Sequence, residues 1–298
     1  MPGSAERLLT SDGLTRAAWA FMEESGLNRI PTELAVSAEC AGVQIYEEPL
    51  VGIAAADDPL FTGEFKEPQV IGEHFRTPEE WVPGAASVIS LFFPFTEAVR
   101  VSNRTRDDMP YDPTITNQRC SALWLHARIE GQKLVAMLCL HLCELLQEAG
   151  FRAVAPSLSP EFRMASPFNS NWSERHVAFA AGLGTFGMSK GIITAKGMAG
   201  RLGSVVTDAP MAPTPRSYTS PFEYCAMCGA CARRCPAGAI DASRGCALGK
   251  DQLVCGPYVK GSYLAPHGPE GIVRYGCGKC QVGVPCEHGI PRRRKRLQ

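Results

Sequence analysis

Cys225-Ala-Met-Cys228-Gly-Ala-Cys231-Ala-Arg-Arg-Cys235-Pro236 has the spacing C-x2-C-x2-C-x3-C-P. Gaps of two residues let a chain wrap a 4Fe-4S cubane and aim three thiolates at three of its irons, and the Cys before the Pro serves a neighbouring cluster. The run therefore predicts a further set of cysteines downstream. They follow as Cys255, Cys277-Gly-Lys-Cys280 and Cys286. The sets close as Cys225, Cys228, Cys231 and Cys286 on one cluster, with Cys235, Cys255, Cys277 and Cys280 on the other. Cys246 competes with Cys255 for its place, although Cys255 stands nearer the Cys277 pair. Zinc sites usually come as two separated C-x2-C pairs without the third Cys and the Pro. The expectation is a chain that moves electrons through two 4Fe-4S clusters.

The chain has 298 residues and balances 30 Lys and Arg against 30 Asp and Glu, so no global field favours nucleic acid or an anionic membrane surface. Its first residues contain neither an apolar signal core nor a twin-Arg pair, and no apolar run reaches about 18 residues. A cytoplasmic protein with no membrane partner is expected. There, thirteen cysteines read as metal ligands plus a few buried thiols.

Upstream of the cysteine run, helical periodicity covers Leu14 to Glu24, and Pro31 to Cys40 reads as a helix with Pro in its first turn. Strands are expected at Gly42 to Tyr46, Leu50 to Ala55, Ala86 to Phe93, Gly191 to Thr194 and Gly203 to Thr207. A long helix from Asn117 to Ala149, with a break at Gly131, is closed by Gly150, and a shorter one runs from Ser173 to Ala181. Mixed strands and helices imply an α/β (α+β) layered domain. The Pro-rich stretch Ala209 to Pro215 then marks a boundary, giving an α/β ligand-binding domain at 1–218 and a ferredoxin-like double-cluster domain at 219–298.

Gly182-x-Gly184-x-x-Gly187 resembles a dinucleotide fingerprint only in spacing, because that motif follows a strand and opens a helix, the reverse of the order here. These glycines read better as a turn where backbone approaches a flat or anionic cofactor, with tight packing as the alternative. His126, Cys139, His141 and Cys143 lie on the long helix. Positions i and i+2 point to different faces, so Cys139-x-His141-x-Cys143 is not expected to bind metal.

Glu174-Arg-His-Val-Ala-Phe-Ala-Ala-Gly-Leu-Gly184-Thr-Phe-Gly187, then Ile193-Thr, Arg201-Leu-Gly-Ser-Val-Val-Thr-Asp208 and the double cysteine motif, resemble epoxyqueuosine reductases and the related reductive dehalogenases. The resemblance spans roughly 81–290. It implies a nitroreductase-like domain that holds a corrinoid (cobalamin), reduced by two clusters in a ferredoxin-like domain, and hence a reductive oxidoreductase. It further implies an acid that supplies a proton near the cobalt.

Two features depart from that pattern. Epoxyqueuosine reductases carry an Asp just upstream of the Glu-Arg pair, whereas Ser166 to Ser173 contains none, which leaves Glu174, His176 and Tyr111 as candidate proton donors. Longer members also continue into a helical-repeat extension that helps hold transfer RNA, a segment not seen up to Gln298, so nucleic acid is not the expected substrate. A small molecule or modified nucleoside takes its place. The basic run Arg292 to Arg296 reads as a solvated tail that could touch phosphate or dock an acidic donor such as flavodoxin or ferredoxin. Two other readings remain open. One is an electron-transfer protein or reductive activator without catalysis; the other is a flavin-dependent reductase.

Overall fold

The burial of Ser87–Pro94 organises the fold, since every residue of this strand is buried and an apolar run of that kind needs cover on both faces. The computed structural model describes residues 7–104, 120–166, 169–264, 266 and 271–292. Ser87–Pro94 (β2) lies between Leu50–Ala55 (β1) and Gly200–Thr207 (β6), and Ala153–Val154 (β3) adds the other edge, giving the order β1-β2-β6-β3 with every pair antiparallel. Ile89 stands opposite both Ile53 and Val205, so one face carries a continuous apolar row.

Period-two alternation divides the sheet between two cores. Ile53, Ile89, Leu91, Phe93 and Val205 pack with Ser11–Glu24 (α1) and the long Ala122–Glu148 (α3). Ala54, Val88 and Val206 point the other way, onto Trp172 and onto Val177 of Glu174–Ala180 (α4). Helices thus cover both faces of an antiparallel sheet. The mixed α/β expectation holds at that level. Glu97–Arg104 (α2) follows β2, and a hairpin of Gly184–Phe186 (β4) and Ile192–Thr194 (β5) leads from α4 back to β6.

Helix ends follow local chemistry. Thr10 Oγ1 accepts from Gly13 N at 3.0 Å to start α1, and Ser121 Oγ accepts from Trp124 N at 3.1 Å to start α3. Gly150, at φ 91°, supplies the left-handed residue that ends α3.

Three local expectations are corrected. Pro31 to Cys40 forms turns instead of a helix: Leu34 and Ala35 bond back three residues, and the Val36 N–H is taken by His126 Nε2 at 3.1 Å, so no i−4 ladder forms. Gly42 to Tyr46 makes only isolated bridges, because the Tyr46 N–H goes to Asn28 Oδ1 at 2.9 Å. The long helix starts at Ala122 and is unbroken at Gly131, where the missing side chain admits the buried Tyr46 ring, which a Cβ would strike. Residues 117–119 of that expected helix lie outside the described residues.

No helix among the described residues is long and apolar enough to cross a membrane. The cysteine-bearing part is laid directly on these layers, with Leu264 and Val282 joining the α1/α3 core.

Candidate functional site

Left-handed backbone at Met227 (φ 54°) and Gly229 (φ 67°) folds the first cysteine run back on itself, and Cys231 enters the single turn Ala230–Arg233 (α5). A small cavity is lined by Cys225, Cys228, Cys231 and Cys286, together with Gly187, Ser189 and Met198. Burial pushes the Cys286 thiol up to about 12, with Cys231, Cys225 and Cys228 adding to the rise. The Cys286 carbonyl accepts from Met198 N at 3.0 Å, which ties this loop to the bend leading into β6.

The other four cysteines line a different, much larger cavity. Cys255 sits on Gln252–Gly261 (α6), whose N-terminus is capped by Asp251 through Leu253 N at 2.8 Å. Burial pushes Cys277 up to about 12, and Cys280, Cys235 and Cys255 contribute as neighbours. Asn103 Nδ2 donates to Cys277 O at 2.8 Å and Lys279 Nζ donates to Asn103 O at 2.8 Å, so the end of α2 fixes the Cys277 to Cys280 turn. Arg104 grips Glu287 through Nε at 2.9 Å and Nη2 at 2.7 Å, which does the same for the loop after Cys286. The groups adjoin, since Cys280 is among the neighbours that raise Cys231.

Cys246 stands beside the Cys225 group, its Sγ 3.1 Å from Met227 Sδ and its thiol held protonated first by Cys225 and then by burial. Cys255 stands with Cys235, Cys277 and Cys280. Among the described residues no three His, Cys, Asp or Glu side chains close on a single ion. A cubane asks for something else, because it spreads its four thiolates over four irons. Two sets of four thiols, in which Cys231, Cys277, Cys280 and Cys286 are raised by burial and by neighbouring cysteines, form a donor set suited to such clusters, since bound iron would favour the thiolates that crowding disfavours.

The large cavity has a volume of about 1360 Å³. That exceeds the roughly 300–1,000 Å³ of ordinary small-molecule sites, so it is roomy enough for a macrocycle. Trp124, Arg128, Gln132 and Cys139 of α3 line it, as do Arg201 and Ser204 of β6, Glu174 to His176 of α4 and Lys190 of the hairpin. The cysteines Cys235, Cys255, Cys277 and Cys280 form part of the same wall.

Glu174 is the candidate acid with the most telling surroundings. Burial raises its pKa, and the hydroxyls of Ser157 and Ser204 offset only part of the rise. Ser157 Oγ donates to Oε1, while Oε2 is sealed from solvent without a hydrogen-bond partner among the described residues. A protonated carboxyl suits that setting. His176 goes the other way: burial drops it to about 3, with Arg175 and Lys190 adding to the fall. Its Nδ1 lies 2.7 Å from Ser173 Oγ, and its ring sits between Phe65 and Phe186. It is therefore neutral at physiological pH and a poor proton donor. Tyr111 lies outside the described residues.

The three glycines part company. Gly182, at φ 80°, ends α4, and a Cβ on Gly184 would strike the Ile193 carbonyl across the hairpin; neither lines a cavity described above. Gly187 lines the small cavity with the first cysteine group. Gly184 thus serves the close approach of the two hairpin strands, while Gly187 borders the first cysteine group. Arg128, Gln132, Arg175, Lys190 and Arg201 were not singled out from the sequence, although Arg175 and Arg201 stand in the resembling blocks. Their helix and strand spacing gives no sign that they converge. His126 accepts from Val36 N and pairs with Glu130, and His141 stacks on Phe21 at 4.7 Å, so neither joins Cys139 and Cys143 in a metal site.

No protein-family profile matches the chain, and no curated protein matches it. Solved structures do. A catabolic reductive dehalogenase in complex with 3-bromo-4-hydroxybenzoic acid is similar over 94% of this chain and 37% of its own, with a TM-score of 0.52 at 14% identity. An epoxyqueuosine reductase bound to an epoxyqueuosine-modified tRNA stem loop is similar over 81% of this chain and 62% of its own, with a TM-score of 0.46 at 17% identity. The Bacillus subtilis epoxyqueuosine reductase gives 81%, 62%, 0.45 and 19% for the same quantities. The neighbours are thus the two groups the sequence resembles, and the dehalogenase match shows a shared fold. This chain spans less than two thirds of the length of each.

Proposed function

We propose that this chain is an iron-sulfur oxidoreductase that reduces a molecule held in the large cavity. Cys225, Cys228, Cys231 and Cys286 would hold one 4Fe-4S cluster and Cys235, Cys255, Cys277 and Cys280 the other, and these supply one-electron transfer when bound. The observation that carries the reading is the shared wall, in which the second group of thiols lines the same cavity as Glu174. A reductant would stand on one side and a proton source on the other.

Residues 1–218 form the ligand-binding part and residues 219–298 the ferredoxin-like part in this reading. The cavity's size and mixed lining fit a corrinoid, which when bound supplies low-valent cobalt to attack or accept a substrate atom. Trp124 of α3 and the aromatic wall formed by Phe179, Phe186 and Phe222 would exclude water from it. Glu174, whose pKa is raised by burial, would protonate the reduced substrate atom, while neutral His176 only orients and packs. The substrate class is a small organic molecule or a modified nucleoside. An acidic carrier such as ferredoxin or flavodoxin would deliver electrons at the Cys228 side, where that cysteine is exposed.

Anaerobic reconstitution with iron, sulfide and either cobalamin or a flavin, followed by gel filtration and a visible spectrum, tests the reading. Retained cobalamin with cluster absorbance supports it. Retained flavin in its place makes the chain a flavin-dependent reductase, and retention of neither leaves an electron carrier.

A further inference from the structure

The large cavity has a basic lining. Its basic lining residues are Arg128, Arg175, Lys190, Arg201, Lys250 and Lys260, against Glu64 and Glu174, and Glu174 favours its neutral form. Arg175 and Lys250 face the cysteines: Cys280 and Cys255 act on Arg175, and Lys250 acts on Cys280. Those two cations answer the negative charge of a thiolate cluster. Arg201 does not, since the charged groups acting on it are Arg128, Tyr46, Arg175 and Tyr275, with no cysteine or carboxylate among them, and the cysteine on which Arg128 acts is Cys120, outside both groups.

Arg201 extends from β6, and its Nε and Nη2 both donate to Gln132 Oε1 on α3, the Nε bond at 3.0 Å. Two donors on the amide oxygen fix the orientation of Gln132 and leave its Nε2 hydrogens for another acceptor. Arg128 lies one helical turn before Gln132 on the same face. Its guanidinium stacks on Tyr275 at 4.3 Å and Nη1 donates to Tyr275 O at 2.9 Å, which immobilises it while its other N–H groups make no hydrogen bond among the described residues. Among the described residues neither guanidinium is paired with a carboxylate. Burial and then Arg128 push Arg201 down to about 10, so it remains cationic at neutral pH beside a like charge.

We propose that Arg201, Gln132 and Arg128 form an anion-recognition site, so that the cavity takes a ligand bearing a carboxylate or a phosphate. The inference rests on the reading of this cavity as the ligand chamber and adds the chemical class of what enters. Two fixed forks and an amide between them supply N–H donors to a planar carboxylate or a tetrahedral phosphate, and the bound anion relieves the repulsion between the guanidiniums. The anion can belong to the substrate or to the phosphodiester of a cobalamin tail.

Equilibrium dialysis of the cluster-loaded full chain under anaerobic conditions separates these sources. The probes are benzoate, phenyl phosphate, neutral benzyl alcohol, cobalamin, and cobinamide, which lacks the phosphodiester. Arg201→Gln is expected to weaken the anionic probes by roughly tenfold or more, with benzyl alcohol unchanged. Arg128→Gln and Gln132→Glu carry the same expectation and cover the case in which Arg201→Gln does not fold. Loss confined to benzoate and phenyl phosphate assigns the site to the substrate, and loss confined to cobalamin, with cobinamide unaffected, assigns it to the cofactor tail. The proposal is overturned if neither cobalamin nor any anionic probe binds the wild type more tightly than its anion-free counterpart (cobinamide for cobalamin, benzyl alcohol for benzoate), or if all variants bind the anions and cobalamin as tightly as the wild type. Iron content and retained cobalamin are read in the same samples, so loss of the anion site with both intact leaves the oxidoreductase reading standing.

Discussion

Replacing Glu130 by Ala should do more damage than any other single change in α3, because Glu130 is the hub of a buried charge relay that reaches the second cysteine group. Its side chain is 4% exposed, and those of His126 and Arg274 are fully buried. Oε1 accepts from Arg274 Nε at 2.9 Å and lies 2.7 Å from its Nη2. Oε2 lies 3.2 Å from His126 Nδ1, and since His126 Nε2 accepts the Val36 N–H, the ring proton belongs on Nδ1 and is donated to Glu130. Removing the carboxylate takes a two-pronged charged partner away from a buried guanidinium, a loss of about 3–5 kcal/mol. At roughly 2–4 °C per kcal/mol for a domain of this size, the thermal midpoint should fall by about 6–20 °C.

The effect should also be local. Arg274 O accepts from Leu264 N at 2.8 Å, and Cys277 follows three residues later, so loosening Arg274 releases one wall of the second group. Iron in Glu130→Ala should fall toward about four per chain. Burial raises the Glu130 pKa, yet the bonds from His126 and Arg274 outweigh it and bring the carboxyl below its usual range. A depressed carboxylate contributes stability that is fully present above its unfolded pKa of about 4.3 and is lost as pH falls through the lower folded value. Thermal melts of wild type and Glu130→Ala should therefore converge as pH falls below the usual carboxylate range. A midpoint within about 2 °C of the wild type at pH 7, with full iron, would falsify the reasoning.

Three further outcomes follow from particular contacts. Glu174→Gln keeps the shape and removes the acid, so turnover should drop by about 10²–10⁴ with cluster content unchanged, and wild-type turnover should decline as pH rises through the raised Glu174 pKa; a variant with normal turnover excludes Glu174. Gly131→Ala gains up to about 1 kcal/mol of helix propensity but meets the Tyr46 ring, which is buried and stacked on Phe95 at 5.2 Å. Overpacking of that kind costs about 1–3 kcal/mol, so denaturant melts should show net loss, and a gain means that Tyr46 yields. Cys246→Ser should leave iron content unchanged, because Cys246 is packed beside the Cys225 group as a protonated neighbour; loss of iron makes it a ligand.

Legibility differed between parts for physical reasons. The strand Leu50–Ala55 and the buried run of β2 were readable because β-branched and aromatic residues between turns have few alternatives, and the long helix was readable from its apolar stripe. Pro31 to Cys40 misled because its helix-like pattern is overridden by a distant His126 that takes the Val36 N–H. Gly131 misled because a helix glycine can mark close approach as well as a break. The cysteine runs stand out in the sequence because cluster ligation imposes local spacing, and in the structure four of these cysteines line one cavity and four the other. The cavity's basic wall was not, because Arg128 and Arg201 come from different elements and meet only through the packing of α3 on β6.

Iron and acid-labile sulfide in the anaerobically reconstituted chain, measured for wild type, Cys255→Ser and Cys246→Ser, bear on the central claim most directly. The grouping of Cys255 with Cys235, Cys277 and Cys280 predicts about eight irons and eight sulfides in the wild type and in Cys246→Ser, and about four in Cys255→Ser. A wild type that holds only about four, or a Cys255→Ser chain that keeps all eight, contradicts the two-cluster account.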